Sequence, residues 1–216
     1  MSDIVYSIEN LLIQSGKTSI LTIENLNFKA QQIHLIAGPN GSGKTTLMKA
    51  MNNLIRVKKD CIFYKGKDIT INNEIVRNNS VYVHQNPYPL KGSVYYNISY
   101  GLKLRKISEE IIQTKVDEIL YMLNIKDLKN KTAYTLSAGE LQKCALARAI
   151  VLDCEVFFFD EPVSSVDIKS VDCIKETMQY LVYERKKTVI YTTHQSLSTE
   201  NLYDNIIRLD TGRIVK

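Results

Sequence analysis

An α/β chain with a mostly parallel sheet, an antiparallel β edge and a helical insertion is the fold class this sequence predicts, on three observations. Nearly unbroken apolar runs, Ile33–Ala37 and Val156–Phe159, read as strands covered on both faces. Stretches with apolar residues three and four apart lie between such runs, the alternation that builds parallel sheets. The region from Ser93 to Lys131 is long, charged and helical in period, and it falls between two strand patterns.

Each element has a local reason. Residues 4–8, 20–23 and 26–28 read as short strands, with Ser15-Gly16-Lys17 as a turn. After Ile33–Ala37 comes a Gly-rich loop, then residues 44–55 with Leu47, Met51 and Leu54 on one helical face. Residues 61–64, a Lys65-Gly66 turn and residues 68–69 suggest a hairpin. Residues 81–84 form a strand stopped by Asn86-Pro87 and Pro89. Ile111, Ile112, Val116, Ile119, Leu120 and Leu123 then repeat at three and four, and residues 136–152 make a second helical stretch. A helix over 168–183, a strand over 188–191 and a closing hairpin around Asp210-Thr211-Gly212 complete the chain. The expected division is one domain, with a core of residues 1–85 and 154–216 and a helical subdomain of about 86–153.

Composition narrows the function. The chain has 216 residues, 44% hydrophobic and 24% charged, which excludes a disordered or fibrous protein. Its longest uncharged stretch, from Ala30 to Gly43, is too short and too polar to cross a bilayer. Met1-Ser2-Asp3 opens no basic-then-apolar secretory signal, so the chain is expected to stay in the cytoplasm. The net charge of +5 is scattered, and short clusters such as Lys103, Arg105 and Lys106 make no nucleic-acid stripe. Cys61, Cys144, Cys154 and Cys173 form no Cys-x-x-Cys pair, and His34, His84 and His194 add no ligand cluster. Free thiols are expected.

Gly38-Pro39-Asn40-Gly41-Ser42-Gly43-Lys44-Thr45, followed by Thr46, fits G-x-x-x-x-G-K-[ST] at every specified position. Small residues let successive N–H groups curl around a phosphate, and the following helix adds its positive dipole end. Lys44 can reach the β- and γ-phosphates, and the Thr45 hydroxyl can ligate Mg²⁺. Val156–Phe159 delivers Asp160 to a strand end, where a carboxylate can hold the water shell of Mg²⁺. Glu161 follows, pointing elsewhere, and can face an attacking water.

Leu136-Ser137-Ala138-Gly139-Glu140 has two readings. Ser137 and Glu140 are spaced as a helix capping box, which needs no function. The segment also resembles the LSGGQ-type signature of ABC ATPases, and residues 141–149 continue that family's signature helix. Gln85 at a strand end resembles its Q-loop, Ser164-Ser165-Val166-Asp167 its D-loop, and Thr192-Thr193-His194-Gln195 its H-switch. The resemblance covers essentially the whole chain. It departs at Ala138 and Glu140, which stand for Gly and Gln. It departs also at Ser15, which precedes Gly16 where the family has an adenine-stacking aromatic; Ile13 and Gln14 supply none, and Tyr6 lies early.

The resemblance implies a P-loop NTPase with a RecA-like core, and an ATP-hydrolysing subunit that powers a membrane transporter. It implies that ATP and Mg²⁺ lie between residues 38–46 of one copy and Ser137, Gly139 and Asp167 of another, in a head-to-tail homodimer. Glu161, Gln85 and His194 would be catalytic, and Thr45, Gln85 and Asp160 would hold the metal. Permease subunits would be separate chains touched by residues 87–99, at the cytoplasmic face of the membrane. Residues 91–105 look like importer ATPases for tungstate and related oxyanions, which implies a solute-binding protein as a further partner. An exporter or cell-division ATPase and a non-hydrolysing ATP-dependent clamp are the alternatives.

Overall fold

A computed structural model describes residues 3–71, 73–164, 166–193 and 202–215. Strands β1 (Ile4–Ser15) and β2 (Thr18–Lys29) form a long antiparallel hairpin, which β4 (Ile62–Tyr64) and β5 (Lys67–Asp68) extend in the order β2-β1-β4-β5. Among the described residues the main sheet has six strands. These are β3 (Ile33–Ala37), β6 (Ser80–Val83), β7 (Val156–Phe159), β8 (Thr188–Thr193), β9 (Asn205–Asp210) and β10 (Arg213–Val215), in the order β10-β9-β3-β8-β7-β6. Pairing is parallel from β9 to β6, and β10 closes antiparallel on β9.

Helices α1 (Lys44–Met51) and α2 (Asn73–Asn79) precede β6. Helices α3 (Val94–Leu104), α4 (Glu109–Met122) and α5 (Ala138–Ile150) make the insertion between β6 and β7. Helix α6 (Ile168–Gln179) continues into a π-helical turn at Tyr180–Glu184.

Strand β7 explains why the apolar run is continuous. Phe157 and Phe159 enter a core with Ile98, Leu120 and Leu146, whereas Phe158 enters the core between the two sheets with Tyr6, Leu47 and Met51. All four β7 residues are fully buried. Each such ring contributes about 1.5–3 kcal/mol of transfer free energy, so one short strand ties both cores together.

Local chemistry adjusts several expected boundaries. The first hairpin is longer than its strand patterns suggested: pairing keeps one register past Asn10, φ 48°, and absorbs its shifts between Ile4 and Tyr6 and between Ile13 and Gln14 without ending. Helix α1 stops at Met51 rather than residue 55, since Asn53 takes a left-handed φ of 53° that ends helical bonding. The long helical stretch breaks between α3 and α4 at Lys106, φ 56°, and restarts at Ser108. Helix α2 had no periodic signal; Asn79 and Ser80 secure its end by donating to the carbonyls of Ile75 and Val76 at 2.7 and 2.9 Å.

The expected free thiols are present: Cys61, Cys144, Cys154 and Cys173 are unbridged, and only Cys173 is not buried. Among the described residues no helix is long and apolar enough to cross a membrane. The carboxyl ends of β6, β7, β8 and β3 lie side by side, and the segments leaving β6, β7 and β3 carry Gln85, Asp160-Glu161 and the Gly-rich loop. Open α/β sheets bind ligands at such an edge.

Candidate nucleotide site

The Gly-rich loop runs from the end of β3 into α1, and two of its glycines are required by geometry. A Cβ on Gly38 would stand 2.1 Å from the Leu209 carbonyl oxygen on β9, so no side chain fits. Gly43 precedes α1 at φ 100°, and a Cβ there would meet the Leu21 side chain at 2.6 Å. Lys44 is only 5% exposed, and its Nζ donates to the carbonyls of Gly38 and Pro39 at 2.7 and 3.0 Å. The ammonium is thus folded over the loop. Asn40, Gly41, Thr46, Ile20, Gln85 and Glu161 line the same cleft, of about 360 Å³.

Asp160, 3% exposed, lies behind the cleft-lining Thr45, and three hydroxyls donate to it. Thr45 reaches Oδ2 at 2.8 Å and Oδ1 at 3.1 Å, Tyr82 reaches Oδ2 at 2.6 Å, and Thr192 reaches Oδ1 at 2.7 Å. Burial, and then the Asp160 charge, push the Tyr82 phenol well above its ordinary range, so it stays a donor. Glu161 adopts φ 47°, a conformation a side chain rarely takes, held by a bond from its N–H to Thr192 Oγ1 at 2.8 Å and by Ser164 Oγ on its carbonyl at 2.9 Å. That turn sends its carboxylate away from Asp160, where Oε2 accepts from Gln85 Nε2 at 2.8 Å.

With its amide nitrogen so engaged, Gln85 has its oxygen left to offer. Thr45 hydroxyl, Asp160 carboxylate and Gln85 amide make a sparse, all-oxygen donor set, which suits Mg²⁺ retaining several waters. Among the described residues no group of three or more His, Cys, Asp or Glu is placed to hold a metal.

Ser137, Gly139 and Asp167 gather elsewhere. Ser137 caps α5 by accepting from the Glu140 N–H at 3.3 Å, while Glu140 Oε2 accepts from the Ser137 N–H at 2.7 Å. This is the expected capping box, and the Ser137 N–H, followed by Lys131 at 3.3 Å, holds the Glu140 carboxyl below the usual range. Asp167 caps α6 through Ser170 N and Oγ, at 3.0 and 2.7 Å, and these bonds lower its carboxyl. A Cβ on Gly139 would sit 2.9 Å from Asp167 Oδ2, so a glycine is what lets α5 meet the α6 cap. Ser137 and Ala138 are exposed, and none of this second group lines the cleft. His194 and Ser165 lie outside the described residues.

Tyr82 and Thr192 carry bonds to Asp160 that motif reading did not assign. Strand alternation held a signal for Tyr82: Val81 and Val83 pack into one core, so Tyr82 and His84 must face the other, where α1 and Thr45 lie.

Tyr6 is fully buried, with its ring 5.2 Å from Tyr64 and 5.7 Å from Phe158, so it is no platform for a base. Ile20 offers the cleft an aliphatic face instead. A base–aromatic stack contributes about 1–3 kcal/mol, and without one ATP and GTP should bind within about tenfold of each other. Competition of each against labelled ATP measures this, and a strong ATP preference would mean that another ring supplies the stack.

The family model described as ABC transporter matches residues 21–164. The chain belongs to the ABC transporter family. It is 35% identical over 208 residues to the tungstate uptake system ATP-binding protein TupC of Peptoclostridium acidaminophilum, covering 96% of this chain and 95% of that one. It is 36% identical over 200 residues to the molybdate/tungstate import ATP-binding protein WtpC of Methanocaldococcus jannaschii, covering 89% and 64%. Phosphate import ATP-binding protein PstB 1 of Lactiplantibacillus plantarum is 30% identical, covering 99% and 83%. Among solved structures, cbiO1 from Clostridium perfringens, part of the ABC transporter complex cbiONQ, superposes with a TM-score of 0.90 at 28% identity, over 100% of this chain and 88% of that one. The present chain is therefore an ABC ATPase, a P-loop NTPase that binds ATP with Mg²⁺ and hydrolyses it.

Proposed function

We propose that this ABC ATPase powers import of a tetrahedral oxyanion, working as a head-to-tail pair beneath separate permease subunits at the cytoplasmic face of the membrane. The observation that carries the pairing is the split of the site. The phosphate loop and Glu161 line one cleft, with Asp160 bonded to its Thr45, while Ser137 and Gly139 lie at an exposed helix start outside it. A second copy turned head to tail brings that helix start over the first copy's nucleotide, where its unpaired amides and dipole favour phosphate.

In this reading residues 38–46 cradle the phosphates, with Lys44 turning from its two carbonyls to the β- and γ-oxygens. Thr45, Asp160 and Gln85 would hold Mg²⁺, whose charge would offset that of the phosphate oxygens. Glu161 takes a proton from a water whose oxygen bonds to the γ-phosphorus as the bond to the β–γ bridging oxygen breaks, leaving ADP and phosphate. Gln85, in contact with Glu161, reports whether that water and the metal are in place. His194 takes the part of γ-phosphate sensor.

We place the permease contact on residues 87–99, at the rim of a groove of about 550 Å³ lined by His84, Pro87, Tyr88, Tyr100, Arg148 and Leu152. Asn97, 1% exposed, stiffens this rim by bonding Leu90 N, Leu90 O and Ser93 O at 2.7, 3.0 and 2.9 Å. Tyr88 is 76% exposed at the groove's mouth and anchored through its carbonyl by Arg148 at 3.1 Å. The helical subdomain in this reading spans residues 86–153 and carries both the groove and Ser137. Oxyanion cargo rests on the likeness of residues 91–105 and on relatives named for tungstate, molybdate and phosphate.

Co-purification from membranes tests the assignment. The ATPase should bring down a permease and a solute-binding protein, and Tyr88→Glu should abolish that capture while ATP affinity stays within about twofold. An exporter-type partner, or capture unaffected by Tyr88→Glu, would overturn importer or groove respectively.

A further inference from the structure

Asp160 is held by three hydroxyls, and the outermost belongs to a residue with no assigned role in nucleotide binding. Thr45 ends the phosphate loop and Thr192 lies next to the end of β8, but Tyr82 reaches in from β6, the edge strand of the main sheet. Its bond to Oδ2, at 2.6 Å, is the shortest of those to this carboxylate. The ring is held in turn. One face of β6 turns it toward the core around α1, and the His84 ring stands edge-on against it with centroids 4.7 Å apart, at 82°.

This arrangement constrains the carboxylate in a way the other two donors do not. Thr45 is the hydroxyl that would give its oxygen to Mg²⁺, so its own bond to Asp160 must readjust when the ion enters. Thr192 is shared with the Glu161 N–H, at 2.8 Å, and so is tied to the turn that aims the neighbouring carboxylate. Tyr82 alone donates to Asp160 from a side chain committed to neither the metal nor the Glu161 turn. Groups that orient a metal-holding carboxylate from behind commonly matter about 10–100-fold in metal affinity.

We propose that Tyr82 is a positioning residue for Mg²⁺: its phenol fixes the rotation of the Asp160 carboxylate so that one oxygen lone pair stays aimed at the metal's water shell. The proposal rests on Asp160 being the metal carboxylate. The geometry adds a consequence for regulation of the same site. Because Tyr82 and His84, packed ring on ring, both line the proposed permease groove, an occupant of that groove lies against the group that aims the carboxylate.

The test uses Tyr82→Phe, which keeps the ring and its packing and removes only the hydroxyl. Mn²⁺ serves as a spectroscopic stand-in for Mg²⁺, and its free signal is titrated by electron paramagnetic resonance against the purified protein with a non-hydrolysable ATP analogue. Tyr82→Phe should weaken Mn²⁺ in the ternary complex about tenfold, while affinity for the analogue in EDTA stays within twofold of wild type. In turnover, half-saturating Mg²⁺ should rise by a similar factor, with kcat at saturating Mg²⁺ changed by less than about threefold. Unchanged Mn²⁺ affinity, or an equal loss of nucleotide affinity in EDTA, overturns the proposal. Asp160→Asn separates the layers: if it too leaves Mn²⁺ affinity unchanged, the metal assignment itself fails, whereas its loss beside an unaffected Tyr82→Phe refutes Tyr82 alone.

Discussion

Glu161→Gln should release phosphate about 10²–10⁴-fold more slowly than the wild-type protein, the usual loss when a general base is removed. The substitution is nearly isosteric. An amide oxygen can still accept from Gln85 Nε2, now at 2.8 Å from the carboxylate, so the cleft keeps its shape while the proton acceptor is lost. It also removes one negative charge close to the γ-phosphate, so ATP should stay bound and hold two copies together. Size-exclusion chromatography should then show a monomer without nucleotide and a stable dimer with ATP. Adding Ser137→Arg should return that dimer to monomer, because a long cation at the start of α5 crowds the approaching phosphate and opposes the helix dipole. Loss of the Ser137 cap costs about 0.5–2 kcal/mol, too little by itself to unfold a domain of this size. A thermal melt checks that point. Wild-type turnover in Glu161→Gln would show that Glu161 is not the base, and a dimer that survives Ser137→Arg would refute the composite site.

Lys44→Ala should abolish measurable ATP binding. The ammonium is the cation the loop itself carries into the cleft, and its bonds to Gly38 O and Pro39 O keep it poised over the phosphate position. Charge-assisted hydrogen bonds contribute about 1.5–3 kcal/mol each, so losing two to the β- and γ-oxygens weakens binding by about 10²–10⁴-fold. Equilibrium binding of labelled ATP reads this directly. Near-normal affinity would remove the phosphate-loop assignment.

Both variants test residues that were legible before any fold was known, and the reason is locality. A phosphate loop is a run of consecutive residues whose glycines, lysine and helix start act on one ligand, so the pattern carries its own geometry. The same holds for Val156–Phe159 ending in Asp160-Glu161, and for Ser137 and Glu140, three residues apart in one capping box. Such spacings are written in the chain because the contacts they make are short in sequence.

What the chain order alone determined, then, was the sheet class, the phosphate loop, the two strand-end carboxylates and the helix cap. Tertiary structure decided the rest. Tyr82 is 78 residues from Asp160 in sequence and Thr192 is 32 residues from it, and only the parallel order β8-β7-β6 puts their hydroxyls on one carboxylate. Tyr6, which lies early for a base platform, is packed inside the core against Tyr64 and Phe158, a placement that only the fold reveals. The requirement for glycine at 38 and 139 likewise comes from Leu209 and Asp167, neighbours that no local pattern names. Side chains far apart in sequence meet only after burial of apolar surface has chosen which strands lie side by side, and that choice is a property of the whole core rather than of any segment.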